Sequence, residues 1–159
     1  MAEKKIRVAV VGAGEFGRNH ARVYRELDGA ELIAIVDRDP ARAAQAAAQF
    51  GGVALASVDD LPGRVDAVSL AIPTVDHSAV GVRLLDMGLD LLVEKPMAAS
   101  LSEADALLAA AQRGARILQV GHLERDAPSL LEEDVKPPGR AREQQRYQLA
   151  QPGLVTDDH

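Results

Sequence analysis

The sequence feature that most constrains the fold is a group of three glycines in the stretch VVGAGEFGRNH, where an apolar segment gives way to a helical pattern. Gly12, Gly14 and Gly17 have the spacing G-x-G-x-x-G, and Asp37 follows the last of them by 20 residues. In such a turn the first glycine permits a sharp bend, the second opens the backbone to a diphosphate, and the third lets the helix pack closely on the strand. The pattern predicts an anion-binding turn at a helix N-terminus; the alternative is an ordinary strand-to-helix turn with a capping aspartate.

Apolar and amphipathic segments alternate along the chain and are separated by glycine and proline. Six strands are predicted, at residues 6–11, 31–36, 53–56, 66–72, 89–93 and 116–120. Strands that alternate with single helices pair in parallel, because each return to the same edge needs a crossover. The strands lack in/out alternation, as expected when helices cover both faces of the sheet. The chain therefore belongs to the α/β class, and we predict a doubly wound parallel sheet, the Rossmann fold, with strand order 3-2-1-4-5-6.

The predicted helices have recognisable start signals. Asp39 precedes Pro40 as a capping acid, Thr74 is the predicted cap of the third helix, and Ser100 and Glu103 have the spacing of a capping box. Helical spacing also predicts which side chains are buried. For the first, third and fourth helices these are Phe16, His20, Val23, Tyr24 and Leu27; Val75, Ala79, Val82 and Leu85; and Leu101, Ala104, Leu107 and Ala111.

The character of the chain changes after Arg125, where prolines interrupt a polar stretch rich in Arg, Gln and Glu. A chain of 159 residues is long enough for one well-buried domain and too short for two of ordinary size. We therefore predict a dinucleotide-binding domain over residues 1–125 and a polar tail or helical extension over residues 126–159.

Composition argues against several classes of function. A net charge of −6, from 24 acidic and 18 basic residues, and an aromatic content of 3% make nucleic acid a poor candidate partner. The absence of cysteine removes thiolate zinc sites, and the four histidines lack ligand spacing, so no metal site is predicted. Neither a signal peptide nor a membrane span is recognised, and we expect a cytoplasmic protein that does not bind membranes.

Asp37 and Arg38 bear on the choice between two nicotinamide cofactors. At the end of the second strand, the Asp37 carboxylate can accept hydrogen bonds from both hydroxyls of an adenosine ribose and repel a 2′-phosphate. Arg38 beside it can instead hold that phosphate. The sequence therefore favours NAD as the cofactor, with NADP as the alternative.

Three further segments end at the same edge of the predicted sheet as the glycine turn, which is where open α/β sheets bind ligands. Pro73 ends the fourth strand and is expected to flank the nicotinamide end of the cofactor. Lys95 ends the fifth strand, where it either exchanges a proton with a substrate oxygen or is simply solvated. His122 follows the sixth strand and either contacts substrate or caps a loop. His20 and His77 lie within helices and are expected to be structural.

Five segments occur in an order that resembles the glucose-fructose oxidoreductase, inositol dehydrogenase and rhizopine-catabolism (Gfo/Idh/MocA) family of NAD(P)-dependent oxidoreductases. They are VAVVGAGEFGRNHA, VDRDPARA, AIPTVDH, LLVEKPMA and VGHLER. The resemblance covers residues 4–125, and its E-K-P step is the most specific part. It implies that Lys95 is the catalytic lysine, that Glu94 and Pro96 help to form the nicotinamide pocket, and that the substrate is a sugar, cyclitol or sugar nucleotide. The GHLER variant resembles members that act on sugar nucleotides.

Residue patterns and resemblance together define the expected site. Lys95 is its catalytic residue, and His122 is a candidate substrate contact. The residues expected to bind the cofactor are Gly12, Gly14, Glu15, Phe16, Gly17, Asp37, Arg38, Ile72, Pro73, Glu94, Lys95 and Pro96.

The chain also departs from the family pattern. Family members continue as GHxxRF-P and then carry a second α/β domain, which supplies the substrate floor and the dimer interface. Here Asp126 and Ala127 follow Arg125 and only 34 residues remain, so we expect the second domain to be absent. The leading hypothesis is an NAD(P)-binding oxidoreductase domain that forms a homo-oligomer and is weakly active or inactive alone, which leaves its status as an enzyme open. The alternatives are a non-enzymatic NAD-binding or redox-sensing module and a self-associating module.

Overall fold

The computed structural model describes residues 4–121, which form a single sheet with helices on both faces. The strands are β1 (Ile6–Val11), β2 (Ala30–Val36), β3 (Val53–Leu55), β4 (Ala67–Leu70), β5 (Asp90–Glu94) and β6 (Leu118–Gly121). The helices are α1 (Glu15–Glu26), α2 (Pro40–Phe50), α3 (His77–Asp86) and α4 (Leu101–Gly114), with short 3₁₀ turns at Val58–Asp60 and Thr74–Asp76. Within residues 4–121 no helix has the length and apolar character needed to cross a membrane.

The sheet has the strand order β3-β2-β1-β4-β5-β6, and all five pairings are parallel. The predicted fold class and strand order are therefore confirmed. Chain order runs outward from the centre in both directions, because β1 pairs with β2 on one side and with β4 on the other. Each of the four steps to a neighbouring parallel strand needs a crossover, and an α-helix supplies each one, whereas the connection from β3 to β4 contains only a 3₁₀ turn.

The hydrophobic core has two parts, one on each face of the sheet. Val10 and Ile35 point to one face, where they pack with Ala21 of α1 and Ala46 of α2. The larger part lies on the opposite face. It is formed by alternate residues of the same strands together with leucines of α3 and α4: Ala9, Val11, Ala34, Val36, Leu84, Leu85 and Leu107. Burial on both faces explains why the strands are apolar throughout.

Two of the predicted helix starts are confirmed in detail. The Asp39 carboxylate accepts hydrogen bonds from the N–H groups of Ala41 and Arg42, and Pro40 occupies the first helical position of α2. At α4 the hydroxyl of Ser100 accepts from the Glu103 N–H at 3.2 Å. These caps satisfy N–H groups that the helix itself leaves without partners.

The start of α3 differs from the prediction. Thr74 does not cap a helix, because residues Thr74–Asp76 form a 3₁₀ turn and the α-helix begins at His77 with no side-chain cap. The buried face of α3 shifts accordingly, to His77, Gly81, Leu84 and Leu85. Of the four predicted residues Leu85 is buried, whereas Val75 lies outside the helix and is exposed.

Two apolar residues in the first turns of other helices are also more exposed than expected. Leu101 is 80% exposed and Phe16 is 55% exposed. Both lie in the first turn of their helix. Helical spacing predicted burial correctly for Leu107 and His20, but not for these two first-turn residues.

Candidate functional site

The candidate site lies where the strand order reverses, at the carboxyl ends of β1 and β4. These strands are neighbours, but the chain leaving β1 continues through α1 to β2, whereas the chain leaving β4 continues through α3 to β5. The two connections diverge and leave a crevice between them. Such a crevice is the usual ligand site of an open parallel sheet.

Gly12 and Gly17 are required by the packing of the turn itself. Gly12 has φ +99°, and a Cβ at this position would overlap the carbonyl group of Ala71 at the end of β4. A Cβ on Gly17 would overlap the carbonyl group of Gly12. The turn therefore lies directly against the neighbouring connection, and α1 lies directly against the turn.

Gly14 differs from these two glycines because the protein's own packing does not explain it. Its φ is −73°, which any residue can adopt, and an added Cβ would meet no protein atom within 4 Å. Gly14 is also the N-cap of α1, and no side chain in the described part of the chain caps this helix. Open space over bare N–H groups fits the pyrophosphate of a dinucleotide, which a side chain here would displace.

Asp37 is held against the glycine turn. One of its carboxylate oxygens, Oδ2, accepts a hydrogen bond from the Ala13 N–H at 2.7 Å, and Oδ1 accepts from the Asp39 N–H at 2.7 Å. A carboxylate has about four acceptor positions, so two hydrogen bonds leave capacity for the hydroxyls of a ribose. The acid predicted to bind ribose thus lies beside the turn predicted to bind phosphate.

Arg38 and Arg42 are the cations closest to Asp37 in the chain. Arg42 Nε lies 3.3 Å from a carboxylate oxygen of Asp39 and 3.9 Å from Oδ1 of Asp37. The exposed Arg38 pairs with Asp76 at 3.5 Å. Arg38 follows β2 and Asp76 follows β4, so this ion pair spans the crevice above the end of β1. The residue predicted to hold a 2′-phosphate is therefore already paired with an acid.

The connections after β4 and β5 form the other half of the crevice. Ile72 is half-buried and Pro73 is exposed, whereas Lys95 and Pro96 are both exposed and joined by a cis peptide bond. Lys95 can accept a proton only when its amine is neutral, and that form is favoured by burial or by neighbouring positive charge.

Glu94, just before Lys95, is buried and paired with His20. Its Oε1 lies 2.6 Å from Nε2 of His20, and each side chain is about nine-tenths buried. A Cβ on Gly121 would approach Oε1 to 3.0 Å, so the carboxylate is also enclosed by β6. This pair joins α1, which starts at the glycine turn, to the end of β5, which carries Lys95.

His77 links the connections after β4 and β5. Its Nε2 lies 2.9 Å from the Ile72 carbonyl oxygen and its Nδ1 lies 3.0 Å from that of Pro96. The expectation that His77 is structural is confirmed. The sequence analysis did not predict that the ring has two backbone partners. A signal for such contacts was the position of His77 four residues after Pro73, at the start of a helix.

The remaining predicted site residues are distributed as follows. Glu15 and Phe16 lie exposed in the first turn of α1, next to Gly14. His122 and the predicted tail at residues 126–159 lie outside the described residues. Within the described range, 4–121, no group of three or more His, Asp or Glu side chains comes together as a metal site.

The parallel sheet, the glycine turn at its centre and the acid at the end of β2 define a dinucleotide-binding Rossmann domain. Residues 6–122 match the Gfo/Idh/MocA family model, described as an oxidoreductase family with an NAD-binding Rossmann fold. The chain belongs to this family. It is thus an NAD-binding Rossmann domain of an oxidoreductase family, and the resemblance stated from the sequence motifs is confirmed.

Relatives include UDP-N-acetylglucosamine 3-dehydrogenase of Acidithiobacillus ferrooxidans, which is 38% identical over 79% of this chain and 39% of its own length. Inositol 2-dehydrogenase 4 of Saccharopolyspora erythraea is 37% identical over 83% of this chain and 40% of its own length. The crystal structure of the WlbA dehydrogenase from Chromobacterium violaceum, in complex with NADH and UDP-GlcNAcA, superposes with a TM-score of 0.71. It is 31% identical, and the match covers 76% of this chain and 36% of that one. The chain thus spans about two-fifths of the length of these relatives.

Proposed function

We propose that the crevice binds NAD with its pyrophosphate over the turn from Gly12 to Gly14 and its adenosine ribose on Asp37. The observation that carries this proposal is the open space at Gly14, together with the 2.7 Å hydrogen bond from the Ala13 N–H to Asp37. The two predicted contacts belong to one compact unit at a helix N-terminus. The nicotinamide end then extends toward Ile72, Pro73, Lys95 and Pro96.

NAD is favoured over NADP by charge at the ribose. Asp37 is held by two backbone hydrogen bonds, so it cannot swing away from an incoming 2′-phosphate without losing both. Arg38, the cation placed to attract that phosphate, is paired with Asp76. A ribose with free hydroxyls avoids the repulsion and can donate to the carboxylate.

We assign Lys95 as the proton-transfer residue for hydride exchange with a hydroxyl-bearing carbon. NAD, when bound, would supply the hydride acceptor for this exchange. The hydroxyl proton passes to the neutral Lys95 amine as the carbon becomes a carbonyl, and the reverse direction returns both. The substrate class is a sugar, cyclitol or sugar nucleotide, supported by the activities named for the two dehydrogenase relatives.

Hydride transfer requires the donor and acceptor carbons to be held within contact distance. Within residues 4–121, Pro73, Lys95 and Pro96 in the nicotinamide half of the crevice are all exposed. We therefore expect the 159-residue chain to bind the cofactor and to reduce or oxidise a sugar slowly or not at all. Cofactor binding without sugar-dependent turnover, together with a stable protein partner, would instead favour the redox-sensing module.

The test is a fluorescence titration with NADH of the wild type and of two glycine-to-valine variants. Gly14→Val should abolish detectable binding, because its side chain fills the pyrophosphate position. Gly29→Val is the matched control, since its Cβ also meets nothing within 4 Å but lies in the turn after α1, away from the crevice. It should bind NADH like the wild type.

Both variants should keep the wild-type circular dichroism spectrum, because an added Cβ meets nothing within 4 Å at either position. Equal NADH affinity for Gly14→Val and the wild type would refute the pyrophosphate assignment. A comparable loss in Gly29→Val would show that the effect of valine is not local to the crevice, which also counts against the assignment.

A further inference from the structure

A groove between α1 and α2 opens beside the proposed adenosine position. It has a volume of about 540 Å³, and one of its ends is lined by Gly14 and Glu15 at the start of α1 and by Arg42 in the first turn of α2. Gly14 belongs to the proposed pyrophosphate position, and Arg42 Nε lies 3.9 Å from Oδ1 of Asp37, the proposed ribose acid. A group attached to the ribose therefore has room to enter the groove at this end.

Arg42 is the cation that the groove presents at this end. Among residues 4–121, two other arginines line the groove, Arg18 and Arg22. Arg18 donates a hydrogen bond to the side chain of Gln49 in the last turn of α2, and Arg22 pairs with Glu26 at 3.2 Å, one turn further along α1. Both guanidinium groups are thus held toward the far end of the groove, away from the ribose acid.

The guanidinium group of Arg42 keeps unused donors. Its Nε donates to the Asp39 carboxylate at 3.3 Å, and within the described range neither Nη group donates a hydrogen bond. The side chain is 58% exposed, so it can turn without disturbing the core. A guanidinium carries its N–H donors in a planar fork that matches the oxygens of a phosphate. Arg42 can therefore bind a phosphate without giving up its contact with Asp39.

Arg38, the arginine next to Asp37 in the sequence, lies elsewhere. Its Nη1 pairs with Asp76 at 3.5 Å on the β4 side of the crevice, and it is not among the described residues that line the groove. Two acids oppose a phosphate at the groove end, the ribose acid Asp37 and the exposed Glu15. Solvent and salt screen the repulsion from an exposed group such as Glu15. Arg42 thus offsets a repulsion that comes mainly from Asp37.

We propose that this end of the groove is a subsite for the 2′-phosphate of NADP, and that Arg42 rather than Arg38 determines how well the protein accepts that cofactor. Asp37 makes NADP the weaker of the two cofactors, and Arg42 limits the difference. The inference rests on the proposed function, because the phosphate reaches the groove only if the adenosine ribose lies on Asp37.

The first test is a pair of fluorescence titrations, with NADH and with NADPH, of the full chain and two arginine variants. The wild type should bind NADPH measurably but more weakly than NADH. Arg42→Gln should bind NADPH about tenfold more weakly than the wild type, as expected for loss of one charge-assisted contact, with little change for NADH. Arg38→Gln is the matched control, because it removes the same charge close by, and it should keep the wild-type ratio of the two affinities.

A conservative variant guards against a defect in folding, since Arg42 also contacts the residue that caps α2. Arg42→Lys keeps the charge but lacks the planar fork, and it should retain part of the NADPH affinity that Arg42→Gln loses. Circular dichroism establishes that each variant folds. ³¹P NMR of NADPH observes the phosphate itself: the 2′-phosphate signal should shift on binding to the wild type and Arg38→Gln, and much less with Arg42→Gln.

The possible outcomes separate the subsite from the proposed function. An unchanged ratio of affinities in Arg42→Gln, or an equal loss of NADPH affinity in both glutamine variants, would overturn the assignment of Arg42. A wild type that binds NADH but shows no NADPH binding would overturn the subsite and leave the proposed function intact. A wild type that binds neither cofactor defeats the proposed function, and the inference with it.

Discussion

At the scale of single residues, Asp37 combines a structural and a ligand-binding task. Its carboxylate holds the N–H groups of Ala13 and Asp39, so it orders the glycine turn and the start of α2. The same group faces the proposed ribose position. Substitutions of Asp37 therefore act on both stability and cofactor choice. An isosteric replacement by asparagine separates these two effects better than truncation of the side chain to alanine.

We expect Asp37→Asn to bind NADH about tenfold more weakly, equivalent to one charge-assisted hydrogen bond. NADPH affinity should fall less or should rise, because the repulsion of a 2′-phosphate is removed. Parallel fluorescence titrations with both cofactors measure the ratio. Asp59→Asn removes one negative charge at an exposed position on the Val58–Asp60 turn and should leave the ratio unchanged. An unaltered preference in Asp37→Asn would contradict the ribose role.

Several single residues could be identified from the sequence because their role follows from local geometry. Gly12, with its positive φ, and Gly17, with its close helix contact, have the conformations that their spacing indicates. The partners of Glu94 and His77 could not be identified in this way. His20 lies 74 residues from Glu94, and no local pattern specifies a contact over that distance.

At the scale of elements, the caps predicted α2 and α4 well and α3 poorly. Asp39 and Ser100 are short polar residues that bond N–H groups within their own turn, so the sequence contains the whole interaction. Thr74 has the same chemistry but lies in a 3₁₀ turn, and α3 begins three residues later at His77. There the start coincides with the long-range contacts of the His77 ring rather than with a local cap.

The packing of α3 on α4 depends on Gly81. A Cβ at this position would lie 2.6 Å from Cδ2 of Leu107 and 3.1 Å from Cδ2 of Leu91. We expect Gly81→Ala to lower the free energy of unfolding by about 1 kcal/mol, because overpacking outweighs the better helix propensity of alanine. Urea denaturation provides the measurement.

A double variant shows whether this steric contact is the cause. Leu107→Val shortens the side chain and removes Cδ2, so Gly81→Ala should cost less in that background than in the wild type. The two substitutions should therefore be non-additive. Simple additivity, or stabilisation by Gly81→Ala in the wild type, would show that α3 and α4 are not in close contact through this glycine.

At the scale of the whole molecule, β1 is the central strand, and contacts at both its ends connect it to the rest of the sheet. At the carboxyl end the glycine turn packs on the end of β4. At the opposite end the Arg7 guanidinium donates two hydrogen bonds to the Asp66 carboxylate, and the Arg7 N–H donates a third. These bonds lower the pKa of Asp66 from 3.8 to about 2.

Because the folded state lowers this pKa, Asp66 stabilises the protein above about pH 4, and this contribution is lost as the pH falls toward 2. The side chain is 38% exposed, so solvent screening reduces the contribution to about 1 kcal/mol. Asp66→Asn should therefore be less stable by about that amount at neutral pH and should lose less stability on acidification.

Chemical denaturation at several pH values measures this difference. Asp105→Asn on α4 provides a control, because Asp105 is exposed and lies on a different element from the Arg7 contact. It should follow the wild-type curve. If Asp66→Asn loses as much stability as the wild type between pH 4 and pH 2, another group is responsible for the acid sensitivity.

The sequence by itself determined the α/β class, the parallel pairing, the strand order and the position of the glycine turn. These properties depend on periodicity, turn residues and crossover connections, which all act over short stretches of chain. Only the tertiary structure decided the partners of Asp37, Glu94 and His77, the start of α3 and the exposure of Leu101. The physical reason is that hydrogen bonds and burial depend on atoms brought together from distant segments, which residue spacing does not specify.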